Sequence, residues 1–300
     1  MLKKAISHLG IFLLSIISYL PFSVLYLIAD VVYLLLYYLV GYRKKVVREN
    51  LKNALPERSP EELRKIEKVF FRYLASLMLE VVKTNSISRK ELQKRFIITN
   101  KHLIEDYLKQ GRGVLVCSAH YGNWEWGTLA FGASLSATLY PIYKPLANQV
   151  FDNWFMKMRS KFGNRMTAMR HTLRVLKETE NIPSVMAFGN DQSPRGKDVQ
   201  YWTIFLNQPS SIQLGIEKIA IKTDRPVFYM KVKYLKRGYY EVDCVPLCLN
   251  PKETAEFEIT ELHTKFLEQI IKEEPAYWLW SHRRWKHQPK VSSSYATEVV

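Results

Sequence analysis

The sequence predicts an α/β protein: a mixed sheet flanked by helices, behind an N-terminal membrane-anchoring helical segment. Three observations predict it. Short apolar runs of strand length alternate with amphipathic, capped helical stretches through the body of the chain. Two of those runs meet at the turn dipeptide Arg237-Gly238, which marks an antiparallel hairpin among the strand and helix alternation. Between Ala5 and Ala29 there is no Asp, Glu, Lys or Arg, a stretch of about 25 residues where a bilayer-crossing helix needs about 20.

The N-terminal stretch follows Lys3 and Lys4. Asp30 interrupts it, and a second apolar run, VVYLLLYYLVGY, ends at Arg43, Lys44 and Lys45. Neither the short apolar core nor the small-residue cleavage site of a signal peptide is visible, so the segment reads as a retained anchor. Pro21 divides it. One kinked span, a re-entrant pair, or an anchor followed by a helix lying in the interface all fit, and a buried helical hairpin of a soluble protein competes. The basic cluster Arg43, Lys44, Lys45 and Arg48 suits a cytoplasmic anionic leaflet, which places the catalytic body on that side.

Ser59-Pro60-Glu61-Glu62 is a capping box with proline at the first helical position. It opens a helix whose Leu63, Ile66, Phe70, Tyr73, Leu74, Leu77, Met78 and Val81 share a face. Ser88 to Glu91 repeats the capping pattern. A short strand, Phe96 to Thr99, leads into a helix from about Lys101 that stops at Gly111. Strands are expected at Val114 to Ser118, Ala137 to Tyr143, Ser184 to Phe188 and Tyr201 to Leu206. Helices are expected from Asn123, near Gln149 to Phe162, Thr172 to Glu178 and Ser211 to Lys222. The hairpin Pro226 to Leu235 and Tyr239 to Leu247 follows, then a last helix from about Glu253 to Lys272. Residues 1–45 are thus read as the anchor, 46–290 as one catalytic domain without an internal linker, and the small, polar 291–300 as a disordered tail.

The chain of 300 residues carries 44 Lys+Arg against 28 Asp+Glu, a formal net charge of +16. Nucleic acid, an anionic membrane surface or an acidic partner would each suit that excess. The aromatic residues fall inside apolar periodic segments rather than on a stacking surface, which argues against nucleic acid. Three cysteines, Cys117, Cys244 and Cys248, form no CxxC pair, so neither a disulfide scaffold nor a redox motif is indicated. No HExxH spacing and no glycine-rich phosphate loop occurs, and the reading calls for no metal and no cofactor.

The chemistry concentrates in Ser118-Ala119-His120-Tyr121-Gly122-Asn123-Trp124-Glu125. An apolar strand delivers His120 to a turn that Gly122 makes sharp, and Asn123 can cap the helix carrying Glu125. Five residues span about 140° around a helix, so His120 and Glu125 converge only if His120 sits on the turn before it. A carboxylate on one ring nitrogen would fix the tautomer and stabilise the imidazolium, and the other nitrogen could then deprotonate a substrate hydroxyl directly. A capping or core histidine is the competing account. His102, His171, His263 and His287 read as structural or surface residues. Asp191, just after a strand, can hold an arginine or a substrate hydroxyl, or simply form a turn.

The stretch His120 to Glu125 resembles the HX4(D/E) motif of glycerolipid-type acyltransferases. With Ile142-Tyr143-Lys144-Pro145, the Asn190-Asp191-Gln192 turn, Arg225-Pro226-Val227 after a helix, and the block Tyr277-Trp278-Leu279-Trp280-Ser281-His282-Arg283-Arg284-Trp285-Lys286, the chain resembles the lipid A late acyltransferases, the lauroyl and myristoyl transferases of Gram-negative bacteria. The resemblance implies a glycerolipid-acyltransferase-like fold. His120 would be the general base acting on a hydroxyl of a lipid A precursor, and Glu125 would orient it. The donor would be an acyl thioester, usually on acyl carrier protein, attacked without a covalent acyl-enzyme. Arg159 resembles the family arginine that would stabilise the oxyanion, although a solvated helix charge beside Lys157 and Lys161 reads nearly as well. Arg283 and Arg284 would take lipid phosphates or bilayer headgroups, Asp191 and Asn123 join them among the substrate contacts, and Lys144 stands where the family usually has arginine. The same fold could act on another lipid, such as a phosphoglycolipid, an amino-acid lipid or a lysophospholipid. Trp124, Trp126, Leu129 and Phe131 are candidates to line an acyl groove.

Overall fold

Proline lacks a backbone N–H and bars its predecessor from the helical region, and the N-terminal apolar stretch breaks where that rule requires. In the computed structural model, which describes residues 2–194, 199–287 and 289, α1 (Leu2–Ser18) ends before Leu20-Pro21. Helix α2 (Phe22–Leu34) begins directly after Pro21 and runs on as a π-helical turn, Leu35–Leu39. The expected tail, 291–300, lies outside the described residues.

After α3 (Lys44–Ala54) comes the long α4 (Pro60–Lys83), opened by the capping box of Ser59 and Glu62 that the sequence announces. Helix α2 lies along α4. Leu25 and Ala29 pack with Leu79, while Tyr33 and Tyr37 join the main core against Phe71. Asp30, the charge that interrupts the apolar run, is held by both Nη atoms of Arg237 at 2.9 and 3.0 Å. The outer faces stay bare: Leu2, Ile6, Leu9, Phe12, Leu13 and Ile16 of α1, and Leu27, Val31, Leu34 and Leu39 beyond it, are at least half exposed. A buried hairpin would hide these side chains, so that reading fails. The run Phe22–Leu39 is long and apolar enough to cross a membrane.

The body is built on a seven-stranded sheet. Its strands are β1 (Phe96–Ile98), β2 (Val114–Ser118), β3 (Thr138–Tyr143), β4 (Thr167–Ala168), β5 (Ser184–Gly189), β8 (Val227–Lys236) and β9 (Tyr239–Cys248), in the order β1-β9-β8-β2-β5-β3-β4. All neighbours are parallel except the β8/β9 hairpin. The central β2 and β5 are continuous apolar runs because helices cover the sheet: Val114, Leu115, Cys117, Val185 and Met186 are fully buried. The hairpin turns at Gly238 with φ +75°, and a Cβ there would collide with the Tyr26 hydroxyl of α2. Helices α5 (Arg89–Arg95), α6 (His102–Lys109), α7 (Trp124–Ser134), α8 (Gln149–Arg159), α9 (Thr172–Glu178), α10 (Gly215–Thr223) and α11 (Glu258–Glu273) complete the body.

Two expected elements differ. Residues 211–214 are not helical: β6 (Tyr201–Phe205) and β7 (Gln208–Ile212) form a separate antiparallel pair, and α10 starts at Gly215. Leu206 and Asn207 both adopt positive φ, 49° and 62°, a two-residue turn matched to the twist of a hairpin. The last helix starts five residues late, because Pro251–Glu253 closes a 3-10 turn and Phe257 takes φ +66°.

Candidate active site

Parallel neighbouring strands end at one edge of a sheet, and residues at equal offsets past paired positions come side by side. Ser118 of β2 pairs with Gly189 of β5. Two residues beyond each lie His120 and Asp191, and they meet. The His120 Nδ1 is 2.7 Å from Asp191 Oδ1, and the His120 backbone N–H donates to Oδ2 at 3.0 Å. Trp278 Nε1 donates to the same Oδ2 at 3.0 Å. Asp191 is sealed, with a side chain 2% exposed, while the imidazole of His120 keeps 24% of its surface open.

The tautomer follows from the partners. A carboxylate can only accept, so Nδ1 carries a hydrogen and donates to Asp191. The Gln192 amide nitrogen, 3.1 Å from Nε2, can only donate, so Nε2 carries the lone pair. Burial pulls His120 toward the neutral form, but the charges of Asp191 and Glu125 outweigh it and raise its pKa above the ordinary value. Burial would raise Asp191, yet the His120 contacts and the Trp278 hydrogen bond carry it down to about 2.

The turn between β2 and α7 is built for this. Gly122 has φ +57°, and a Cβ on it would lie 2.5 Å from Val232 Cγ1, so only glycine fits on both counts. The segment Tyr277 to His282 straps the turn in place. Gly122 N donates to Tyr277 O at 3.0 Å, Leu279 N donates to His120 O at 3.1 Å, and Tyr121 bridges to Trp278. Ser193 N donates to His282 Nε2 at 3.2 Å, and burial lowers that imidazole to about 4, so it stays neutral.

Glu125 does not hold His120, and this corrects the expected pairing. Both its oxygens accept from Arg159, at 2.8 Å from Nε and 2.5 Å from Nη2. Asn123 caps α7 through Trp126 N and fixes Glu125 in the first turn, aimed at the last turn of α8 rather than back at the imidazole. The carboxylate that orients His120 comes instead from the next strand. Arg159 is no solvated helix charge: its side chain is 21% exposed, and the Glu125 hydrogen bonds raise its pKa against burial.

The remaining residues separate. Asn123 is fully buried with its amide nitrogen on Glu80 at 2.7 Å, a structural position rather than a substrate contact. Arg284 is also buried, at 2% exposure, and donates to Ser211 O at 2.8 Å, so it does not meet headgroups. Arg283 is exposed, and so is Lys144, which follows β3 at the same sheet edge as His120. Of the four groove candidates only Trp124 is partly exposed, packing on the edge of the core. Trp126, Leu129 and Phe131 pack inside it. Trp124 meets the His120 ring edge-on at 4.9 Å and lines a cleft of about 450 Å³ with Leu14, Leu77, Val81, Trp154 and Leu279. Sequence reasoning missed Trp278, Gln192 and His282. Trp278 and His282 lie in the near-terminal block Tyr277 to Lys286, where roles were sought only for arginines, and Gln192 lies in the turn where only Asp191 was given one.

The bacterial lipid A biosynthesis acyltransferase family model matches residues 1–287. The chain belongs to this family. It is 23% identical over 293 residues to the lipid A biosynthesis lauroyltransferase of Escherichia coli K12, covering 97% of this chain and 94% of that one. It is also 23% identical to that organism's lipid A biosynthesis palmitoleoyltransferase, over 84% of this chain and 81% of the relative. A lipid A biosynthesis acyltransferase of Haemophilus influenzae Rd is 21% identical, over 91% and 85%. This acyltransferase is therefore an enzyme of the O-acyl transfer class, and its HX4E stretch is the turn just described.

Proposed function

We propose that this acyltransferase moves a fatty acyl chain from an acyl thioester, carried by acyl carrier protein, to a hydroxyl of a lipid A precursor at the cytoplasmic face of the inner membrane. The observation that carries the reading is His120. Its Nδ1–H is held by a sealed carboxylate, its Nε2 lone pair accepts from the Gln192 amide that a substrate hydroxyl would replace, and its ring packs on Trp124, which lines an apolar cleft. Such a group takes a proton from an alcohol and returns it to a leaving thiolate.

In this reading Nε2 removes the hydroxyl proton as the oxygen attacks the thioester carbonyl, and Asp191 stabilises the imidazolium that forms. Arg159 spends Nε and Nη2 on Glu125, leaving Nη1 as the donor for the oxyanion. The cleft runs from Trp124 beside the base to Leu14 on the apolar α1, a path from lipid to the reacting atoms. Lys144 and Arg283, both exposed, supply cations for acceptor phosphates. The net charge of +16 favours an acidic donor protein and an anionic leaflet. The seven-stranded sheet with its HX4E turn is compatible with the glycerolipid-acyltransferase type of fold.

The test is mass spectrometry of membrane glycolipids from cells lacking a late acyltransferase, complemented with this chain or its His120→Ala variant. A mass gain of one acyl group with the parent chain and none with the variant supports the reading. A gain on a different lipid, or in both strains, rejects it.

A further inference from the structure

Against Asp191, and sharing no lining residue with the cleft, lies a small cavity of about 10 Å³, about the size of one water molecule. Asp191, Asn190, Ser118, Tyr229, His263 and Arg284 line it. Arg284 is the unusual member. It is 2% exposed, its Nη2 donates to Ser211 O, and among the described residues its Nε and Nη1 have no hydrogen-bond partner. His263 Nε2, 4% exposed on α11, has none either. A buried guanidinium with no carboxylate bonded to it among the described residues, and with two bare N–H groups, costs stability, whereas an apolar side chain of similar volume would not. Its placement against Asp191 is therefore informative.

We propose that Arg284 is a positioning residue for the general base: with His263 it holds a single water in this cavity, and through it presents a fixed positive charge to the back of Asp191. The electrostatics agree. Burial pulls Arg284 down to about 10, and the Asp191 carboxylate is the charge that pulls it back up. His263 is kept neutral by burial, at about 4, so it competes for neither charge. Arg284 thus answers part of the Asp191 charge that raises His120, and keeps the base from binding its proton too tightly to release it.

The other groups that face the pair are Glu125 and Arg159 from α7 and α8, Gln192 after β5, Tyr229 of β8, and Trp278 and His282 of the strap. Of these, His282 also feels the Arg284 charge, but burial is the larger cause that holds it neutral. The inference rests on His120 being the base, but its test needs no substrate. Histidine-labelled full-length protein in detergent micelles is titrated by NMR, with the His120 signal identified by its absence in His120→Gln. In Arg284→Met and Arg284→Gln the His120 midpoint is expected to rise by about one unit, and Arg284→Lys restores it. The acyl-transfer rate at fixed pH falls by about tenfold in the neutral variants with KM unchanged, while Arg284→Met unfolds at the same or a higher temperature.

An unchanged midpoint in folded Arg284→Met or Arg284→Gln overturns the proposal, as does a Lys variant that shifts as far as Met. Failure of both neutral variants to fold assigns Arg284 to structure alone and overturns it too. Absence of acyl transfer by the parent chain would sink the general-base reading, yet leave the titration of His120 to be read on its own.

Discussion

His120 owes its basicity to a balance in which burial favours the neutral ring and the carboxylates of Asp191 and Glu125 win. Its native pKa therefore lies above the ordinary value, and the stability this lends is complete below pH 6.5 and lost as pH rises through the native value. Asp191, lowered to about 2, contributes stability that is complete above its unfolded value near 3.9 and is lost as pH falls toward 2. In the proposed general-base role the imidazole must be neutral to act, so kcat/KM is expected to rise with pH through a midpoint above 6.5. Asp191→Asn should move that midpoint down and cut kcat by about 10²- to 10⁴-fold, because the amide no longer enforces the productive tautomer. A pH-rate profile of the two proteins checks both. At this scale the sequence disclosed His120 and the turn bearing Asp191, but not that they pair. Their partnership depends on which strand lies beside β2, a contact across 71 positions that no local spacing encodes. Glu125, five positions away, looked the better partner for the same reason.

The turn from β2 to α7 is the element on which the site depends. Gly122→Ala meets both an unfavourable φ and the Val232 methyl, and is expected to cost about 2–4 kcal/mol, read as a lower unfolding temperature with transfer activity lost. Asn123→Ala removes the cap of α7 and one of the hydrogen bonds to the buried Glu80. It should cost about 1–3 kcal/mol by the same measurement, while leaving the pH midpoint of His120 nearly in place. Element boundaries were legible wherever chemistry marks them locally: Ser59 and Ser88 cap α4 and α5, Pro21 separates α1 from α2, and Gly238 turns the hairpin. The β6/β7 pair was hidden because its turn uses Leu206 and Asn207 rather than glycine, and because Ser211 reads as a helix start.

Across the whole molecule, charge and greasiness divide the labour. The bare apolar faces of α1 and α2 suit contact with lipid, and the basic excess suits capture of an acidic donor. Phe12→Glu combined with Ile16→Glu should release the protein from anionic vesicles in a flotation assay while sparing transfer to a detergent-dispersed acceptor. With the acidic carrier-protein donor proposed above, raising salt should increase its KM and leave kcat nearly constant, since screening acts on encounter rather than on the buried pair. The anchor was plain in the sequence as an uncharged run. That α2 is also wall material of the domain, fastened by Asp30 to Arg237, was not, because a lone aspartate in an apolar segment looks like an interruption until its partner 207 positions away is known.

The strap from Tyr277 to His282 also sets a timetable. Among the described residues Asp191 takes one of its three donors from Trp278, and the carbonyl of His120 is tied down by Leu279. While the chain is still being made, a ribosome that has not yet delivered residue 279 has produced a lipid-seeking body whose imidazole is not yet aligned. The site is thus complete only once residues 277–282 are in place, and a chain truncated before Trp278 is expected to lack transfer activity.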